Sequence, residues 1–317
     1  MNYISGQILT ERGFSKGYLC IDNNEIIEQR KGNPPSSPIC KGIITPLLCN
    51  MHTHIGDTFI RFQNISLPHD IVKLVAPPDG LKYQMLSSTK QNDILQGMRK
   101  AIKEMESNGI GCFCDFRENG IDGIKLINKA TMNSHINSCI LSRPKTLEYK
   151  PSEISSLLKN SDGIAISSLE EWDFDELYCI VQQVKRAHKL FSLHVSERIR
   201  EEIKKVLSLQ PDFVIHMTKA SKNDLQQMKK NNIPIVICPR SSSFFHNDIP
   251  LKTMKDTGNT LLVGTDNGML HSSNIMEEIQ FVQKQYPSIG GMCRIELSVC
   301  RCLLAIVLQK LMLLLGV

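Results

Sequence analysis

The chain has 317 residues, of which 41% are hydrophobic and 22% are charged, as in ordinary globular proteins. The formal net charge is +5, and the Lys and Arg residues are dispersed rather than clustered with aromatic residues, so nucleic-acid binding has little support. The length allows one large domain or two smaller ones.

The first 42 residues contain three short strand-like runs. These are ISGQILT, GYLCIDN and EIIEQRK, which Gly and Asn turns separate. The stretch NPPSSP at 33–38 then breaks the pattern. We therefore expect a small β-sandwich segment over residues 1–42, before the main domain.

Over residues 43–285, apolar strand-like runs alternate with amphipathic helical patterns. The predicted strands are IITPLLCNMH (43–52), GIGCFCDF (109–116), INSCILS (136–142), GIAISSL (163–169), FSLHVSE (191–197), FVIHMTK (213–219), PIVICPR (234–240) and TLLVGTD (260–266). Such continuous apolar strands are buried on both faces, as in parallel sheets. Eight β/α units predict an α/β fold, a (β/α)8 TIM-like barrel, with a doubly wound open sheet as the alternative.

Helices are predicted between these strands. One has apolar residues at helical spacing, namely Ile94, Met98, Ile102 and Met105. Asp175 and Ser221 are predicted to begin two others. The segment 55–88, between the first strand and the first helix, is long for a compact domain, and such loops are usually functional or disordered. After the first strand of a barrel it would lie over the mouth.

The C-terminal segment, 286–317, is an atypical hydrophobic tail rich in Leu and Cys. Arg301, Gln309 and Lys310 divide it into apolar runs too short to cross a bilayer. We therefore expect a packed or poorly ordered terminal helix rather than a membrane span.

The chain has eleven cysteines, and its N-terminal sequence MNYISGQILTERG lacks the apolar core of a signal peptide. Cys49, Cys139 and Cys238 lie within apolar stretches and have the pattern of buried free thiols. These features predict a cytoplasmic protein.

Polar residues that can bind a metal occur at the ends of four predicted strands. They are His52 and His54 on strand 1, His194 and Glu197 on strand 5, His216 on strand 6 and Asp266 on strand 8. The C-terminal ends of barrel strands form the active-site face, and a buried polar group there needs a partner or a metal. A lone His-x-His can also be two loop histidines, but three imidazoles and a carboxylate together suit zinc or ferrous iron.

The order His-x-His, His-x-x-Glu, His and Gly-Thr-Asp resembles the amidohydrolase superfamily of metal-dependent hydrolases. It is most similar to the branch of deaminases and chlorohydrolases related to cytosine, guanine and S-adenosylhomocysteine deaminases. "LLCNMHTH", "LHVSE" and "VGTDNG" resemble the family motifs of strands 1, 5 and 8, and "CPRSSSFF" loosely resembles a segment after strand 7. The resemblance covers roughly residues 1–285 and implies a metal-bearing (β/α)8 barrel with a small β-sandwich from both chain ends. The tail departs from that pattern, so the sandwich is expected to be truncated or aberrant.

The resemblance also implies roles for the strand-end residues. One divalent ion, zinc or alternatively iron, would be bound by His52, His54, His194 and Asp266. Glu197 would move protons between water and the substrate nitrogen, and His216 would orient the water or polarise the substrate. Asp266 would also accept a proton from the water.

The resemblance also favours a single ion over two. Two-metal members of that superfamily usually bridge the ions with a modified lysine or a glutamate on a middle strand, and GIAISSLEEWD on strand 4 has no lysine. Glu170 and Glu171 are the only bridging candidates there, and they more simply begin the next loop or helix. Asp115 and Arg117, at the end of strand 2, are expected to form a surface salt bridge, with substrate contact as the alternative.

The resulting hypothesis is a hydrolase of C–N bonds that deaminates an amino-substituted heterocycle with a metal-activated water. The alternatives are a cyclic-amide or small-amide hydrolase and a non-catalytic metal-binding homologue. The expected partner is a small-molecule substrate rather than a nucleic acid or a membrane, and the oligomeric state, including a homo-oligomer, is left open.

Overall fold

A computed structural model describes residues 1–10 and 13–287, and these residues divide into two compact units at Leu47/Leu48. The prediction for the C-terminal tail falls on residues that, from 288 onward, lie outside this description. Within the described ranges, no helix is long and apolar enough to cross a membrane.

The unit Met1–Leu47 contains a four-stranded sheet in the order β3-β2-β1-β4. Its strands are β1 (Asn2–Thr10), β2 (Gly13–Asp22), β3 (Glu25–Lys31) and β4 (Cys40–Ile44). Asn23 and Asn24, both at positive φ, make the two-residue turn between β2 and β3 that this conformation favours. The three strands predicted in this part of the chain are confirmed.

The unit that begins at Leu48 is a barrel of parallel strands. They are β5 (Leu48–His54), β6 (Ile110–Arg117), β7 (Asn137–Ser142), β8 (Gly163–Ile166), β9 (Leu190–Val195), β10 (Phe213–His216), β11 (Ile235–Ile237), β12 (Leu261–Val263) and β13 (Asp266–Asn267). Neighbours in the chain are neighbours in the sheet, and β13, which continues β12 after two residues, pairs with β5. The sheet therefore closes on itself, which confirms the (β/α)8 barrel and excludes the open sheet.

Helices follow most of the barrel strands. They are α1 (Ile71–Val75), α2 (Leu81–Ser88), α3 (Gln91–Ser107), α4 (Gly120–Thr131), α5 (Pro151–Asn160), α6 (Phe174–Arg186), α7 (Ile203–Ser208), α8 (Lys222–Lys230), α9 (Pro239–Phe244), α10 (Leu251–Asp256) and α11 (Ile275–Gln285), with 3-10 helices at Ile55–Phe62 and Leu169–Glu171. The predicted apolar stripe of α3 is buried along its length.

The two predicted helix starts have different outcomes. Ser221 is the N-cap of α8, where its side chain and that of Asp224 form a reciprocal capping box. For α6 the N-cap is Asp173 rather than Asp175, because the Asp173 carboxylate accepts hydrogen bonds from the backbone N–H groups of Asp175 and Glu176.

The first barrel strand and one cysteine also differ from expectation. The predicted strand 43–52 is split, since β4 ends at Ile44 and β5 begins at Leu48, and Pro46 between them cannot donate to a strand ladder. Cys49 is not a free thiol but forms a disulfide with Cys112 on the neighbouring strand β6. Cys139 and Cys238 are free and buried, as predicted.

Candidate metal centre

β5 carries His52 and His54 to the C-terminal mouth of the barrel. Their positions alternate with Thr53, so both side chains lie on the same face of the strand. The chain between β12 and β13 lies very close to β5. A Cβ atom added at Gly264 would be only 2.7 Å from the Cβ of His52. The Thr265 N–H donates to the His52 carbonyl at 3.1 Å, which fixes the two strands at this point.

Four buried side chains, one from each of four strands, converge at this mouth of the barrel. The ligand atoms of His52, His194, His216 and Asp266 all lie within 4.8 Å of one another. His52 Nε2 lies 3.2 Å from Asp266 Oδ1 and 3.2 Å from His194 Nε2. His54 stands at the edge of this cluster, with its Nε2 3.6 Å from the same Asp266 oxygen. The predicted residues of the four strand ends thus lie together, and the tightest group contains His216 rather than His54.

Hydrogen bonds behind the cluster orient two of the imidazoles. His54 Nδ1 lies 3.1 Å from the Phe116 carbonyl oxygen and 2.8 Å from Glu118 Oε1, and His194 Nδ1 lies 3.1 Å from the Ile166 carbonyl oxygen. A carbonyl oxygen only accepts, so Nδ1 carries the proton in both rings. The Nε2 atoms therefore direct their lone pairs toward the cluster, as metal-ligating histidines with such partners do.

The charge states of the cluster suit a cation. Burial lowers the pKa of His52; burial and the Lys82 charge lower the pKa of His54 to about 3; and burial with the neighbouring imidazoles lowers that of His194 well below its usual range. Burial would raise the pKa of Asp266, but its hydrogen bond to His52 and the nearby imidazoles hold it well below the ordinary value. Neutral imidazoles and an anionic carboxylate are the forms that bind a divalent metal.

Two further nitrogens at this site have no partner. The buried Nδ1 atoms of His52 and His216 make no hydrogen bond with any residue in the described ranges. Buried polar atoms of this kind are costly unless a ligand or water completes them. The donor set itself, three imidazoles and a carboxylate whose ligand atoms lie within 4.8 Å of one another, fits a bound divalent ion.

Glu197 lies beside the cluster, where β9 has ended. Its Oε1 is 3.5 Å from His216 Nε2, and its side chain is 17% exposed. Burial raises the pKa of Glu197, and the Asp266 and Glu201 carboxylates raise it further against the opposing effect of His216. A carboxyl group of this kind can hold a proton closer to neutral pH than an exposed glutamate can.

A cavity of about 570 Å³ opens in front of these residues. Part of its wall comes from the segment after β5, including Ile71, Val75 and Lys82. This confirms that residues 55–88 lie at the mouth of the barrel. The segment is ordered into one 3-10 helix and two short α-helices rather than being an irregular loop.

A buried charge network behind His54 was missed by motif reasoning. Lys82 Nζ lies 2.6 Å from Glu118 Oε1 and 3.4 Å from Asp57 Oδ2, while Arg117 pairs with both Glu118 and Asp115. Each of these side chains is at most 2% exposed. The expected surface salt bridge between Asp115 and Arg117 is therefore wrong in its location, since the pair forms in the interior.

The network keeps Glu118 ionised. Burial alone would raise its pKa, but the charges of Lys82 and Arg117 lower it well below the ordinary value. Its position, one residue beyond Arg117 in the run DFRE at the end of β6, was the signal available in the sequence. Glu118 is thus an anionic acceptor for the Nδ1–H of His54.

Residues 43–290 match the sequence profile described as "Amidohydrolase family". The chain belongs to the amidohydrolase family. Members of this family are metal-dependent hydrolases, and the three histidines and one aspartate of the cluster provide such a site in this amidohydrolase.

Relatives of this amidohydrolase support the same assignment. An uncharacterized protein of Methanocaldococcus jannaschii is 34% identical over 303 residues, which cover 89% of this chain and 75% of that protein. Guanine deaminase from C. acetobutylicum, solved with bound guanine, has a TM-score of 0.67 at 14% identity and covers 91% of this chain and 81% of that one. An adenosine deaminase from Xanthomonas campestris, solved with bound zinc, has a TM-score of 0.72 at 13% identity and covers 90% and 74%. These two structures share the fold.

Proposed function

We propose that this amidohydrolase hydrolyses the C–N bond of an amino-substituted heterocycle and releases ammonia. The observation that carries the proposal is the position of Glu197, whose carboxylate lies 3.5 Å from His216 at the edge of the cluster and also borders the cavity. A carboxyl group placed there can serve a reaction that both removes a proton from water and protonates a leaving nitrogen.

In this proposal His52, His54, His194 and Asp266 would hold the ion. His216, the remaining member of the tightest group, would face the water or the substrate. The nitrogen-rich donor set favours zinc, with iron as the alternative. The chemistry that such an ion supplies when bound is the activation of a water molecule at neutral pH. Behind these ligands, Glu118 and the Ile166 carbonyl hold the His54 and His194 rings in the required tautomer.

The remaining steps belong to the protein's own side chains. The water oxygen bonds to the ring carbon, the C–N bond breaks, and the proton taken from water leaves with the amino nitrogen as ammonia. Glu197 accepts that proton and then donates it, which its raised pKa permits. Asp266 stays anionic and accepts a hydrogen bond from Ser241 at 2.5 Å, so it can take a proton only transiently.

His216 is the neighbour of Glu197 in this arrangement. Its Nε2 faces the Glu197 carboxylate, and its ring stacks on that of His194 with centroids 5.3 Å apart. The imidazole is therefore placed to orient the attacking water or to polarise the substrate. The guanine and adenosine deaminases of the same fold act on aminated purines, which supports a ring of this general kind.

Ammonia release across a panel of substrates tests the proposal. Purified protein loaded with zinc or iron is incubated with aminated purines, pyrimidines and pterins, and in parallel with cyclic amides and small amides. We expect ammonia from at least one aminated ring, formed in equal amount with the oxo product, and its loss in Glu197→Gln. Opening of a cyclic amide without turnover of any aminated ring would identify an amidase instead. Metal binding without turnover of any compound would favour the non-catalytic homologue.

The partners and the location that the sequence implies remain predictions. We propose a small-molecule substrate as the partner, with no nucleic acid or membrane, and a cytoplasmic location. All the side chains that form the centre belong to the barrel unit.

A further inference from the structure

We propose that Arg143 forms an oxyanion subsite in the active-site cavity, and that the substrate is an aminated ring bearing a carboxylate or phosphate group. The ring part of this inference rests on the proposed function. The anion-binding part rests on the surroundings of Arg143 alone.

Arg143 directly follows β7, and its backbone N–H donates to the Arg117 carbonyl at 2.9 Å. The residue is only 8% exposed. It borders both the cavity in front of the metal centre and an adjoining cavity of about 360 Å³. The guanidinium is therefore buried where a substituent on a ring bound in the larger cavity could reach it.

The other buried cations of this region all have acceptors. Lys82 contacts Glu118, Asn267 and Asp57 at 2.6, 3.0 and 3.4 Å, and Arg117 pairs with Asp115 and Glu118. The Arg143 side chain, in contrast, makes no hydrogen bond within residues 1–10 and 13–287, and none of their carboxylate oxygens lies within 4.0 Å of it. Tyr83, Glu118 and Glu171 raise the pKa of Arg143 against the effect of burial, but they do so without contacting the guanidinium. A buried guanidinium without a partner is unfavourable, so a ligand that supplies an oxyanion would complete the site.

Other polar atoms that border one or the other of these two cavities are also unpaired. The Tyr83 and Ser167 hydroxyls and Glu171 Oε2 are buried without a hydrogen-bond partner in the described part of the chain. Tyr83 borders the smaller cavity with Arg143, and Ser167 and Glu171 border the larger one. Burial raises the pKa of Glu171 to about 7, so this carboxyl does not simply neutralise Arg143.

The chemistry of the guanidinium restricts the class of ligand that can bind there. Its planar set of N–H donors matches the paired oxygens of a carboxylate or a phosphate, and such charge-assisted bonds are among the strongest that a protein forms. An uncharged ring would leave the guanidinium unpaired. The structure therefore favours substrates in which an anionic group extends from the aminated ring.

Binding measurements with matched probes test this inference. Calorimetry on the metal-loaded protein compares adenosine with adenosine 5′-monophosphate, and pterin with pterin-6-carboxylate. We expect the charged member of at least one pair to bind about 10- to 100-fold more tightly than its neutral partner. The two pairs separate phosphate from carboxylate as the source of the oxyanion. Equal affinities within both pairs, or no saturable binding of either charged probe, would overturn the inference.

Substitutions test whether Arg143 causes the tighter binding of the charged probe. Arg143→Gln should abolish it, and Arg143→Lys should keep part of it because the charge remains while the planar donors are lost. The control is Arg198→Gln, which removes a charge from the same cavity wall but from an exposed pair with Glu170, and it should keep the preference. A preference that survives in Arg143→Gln would mean that the probe's anion binds elsewhere, for example to the metal.

Thermal unfolding without ligand separates an anion-binding role from a structural one. Arg143→Gln should unfold close to the wild-type temperature or higher, because the guanidinium loses no hydrogen bond or ion pair within the described residues. A lower unfolding temperature together with unchanged affinities would make Arg143 a structural residue and refute the subsite. Failure of the proposed reaction looks different, since the charge preference would then persist although no probe releases ammonia.

Discussion

Glu118→Gln tests most sharply whether the Glu118 carboxylate positions a metal ligand or only packs in the interior. The change keeps the size of the side chain but removes its charge. Glu118 Oε1 accepts from His54 Nδ1 at 2.8 Å and from Lys82 Nζ at 2.6 Å, and Oε2 contacts Arg117. A neutral amide leaves both cations with less compensation and allows the His54 ring to turn.

The magnitude follows from what remains around the two cations. Loss of one partner from a buried ion pair costs about 3–5 kcal/mol. Lys82 would keep Asn267 and Asp57, and Arg117 would keep Asp115, so we expect the lower end, about 3 kcal/mol of the free energy of unfolding. For a domain of this size that corresponds to a fall in Tm of about 6–12 °C. Metal affinity should fall by about 10- to 100-fold, as for other residues that orient a ligating histidine.

Two assays on the same protein test these values. Urea unfolding gives the loss of stability, and competition with a chromophoric chelator gives the metal affinity. The matched control is Asp122→Asn, which removes the same charge from an exposed pair with Lys145 and should leave both the stability and the metal affinity close to wild type. If Glu118→Gln lost stability but kept wild-type metal affinity, the carboxylate would not position His54 and the reasoning would be refuted.

Three further substitutions probe the proton shuttle, the strand contact and a titrating carboxyl. Glu197→Gln should lower kcat by about 10²- to 10⁴-fold at unchanged metal content, since it removes proton transfer and no proposed ligand; steady-state kinetics with metal analysis checks this, and undiminished turnover would exclude Glu197. Gly264→Ala should cost about 1–3 kcal/mol and weaken metal binding, because its Cβ would lie 2.7 Å from that of His52, and urea unfolding with wild-type m-value and midpoint would contradict the close approach. For Glu171, burial raises the folded-state pKa to about 7, above the value of about 4 in the unfolded chain. The folded protein is therefore stabilised by the protonated carboxyl at low pH, and this contribution to the free energy of unfolding is lost as the pH rises from about 4 to about 7. Glu171→Gln cannot ionise and should be more stable than wild type near pH 8, by up to about 3 kcal/mol, and similar to it near pH 4; parallel pH dependences of the two proteins would rule out the raised pKa.

The barrel could be predicted because parallel strands are buried on both faces and are therefore continuous apolar runs in the sequence. The polar residues that interrupt or end those runs, His52, His194, His216 and Asp266, were identifiable for the same reason. A polar side chain in an otherwise apolar strand needs a local explanation, and the shared mouth of a barrel supplies one. Their meeting within 4.8 Å is the geometric consequence.

The charge network could not be predicted from such patterns. Lys82 comes from a helix in the segment 55–88, and nothing near it in sequence indicates that its side chain is buried against Glu118. Asp115 and Arg117 have the composition of a surface pair, and only the three-dimensional structure shows that they pair in the interior. Arg143 was not singled out, because an arginine after a strand is ordinary until its lack of a partner is visible in three dimensions.

The boundary between the two units could not be predicted from the sequence pattern either. The run from Ile43 to His52 is mostly apolar before the histidines, so its pattern predicts a single strand. Pro46 divides it in the structure, because β4 pairs with β1 and β5 pairs with β6. Apolar character predicts burial well, but it does not say which sheet a residue joins.

The metal content of the purified protein is the most direct test of the central claim that His52, His54, His194 and Asp266 bind a metal ion on which hydrolysis depends. Mass spectrometric metal analysis after dialysis should find about one zinc or iron per chain, and the double variant His52→Ala/His194→Ala should lose it while keeping the barrel's circular dichroism. A wild-type protein that contains no metal, and that binds none when zinc or ferrous iron is added, would contradict the account.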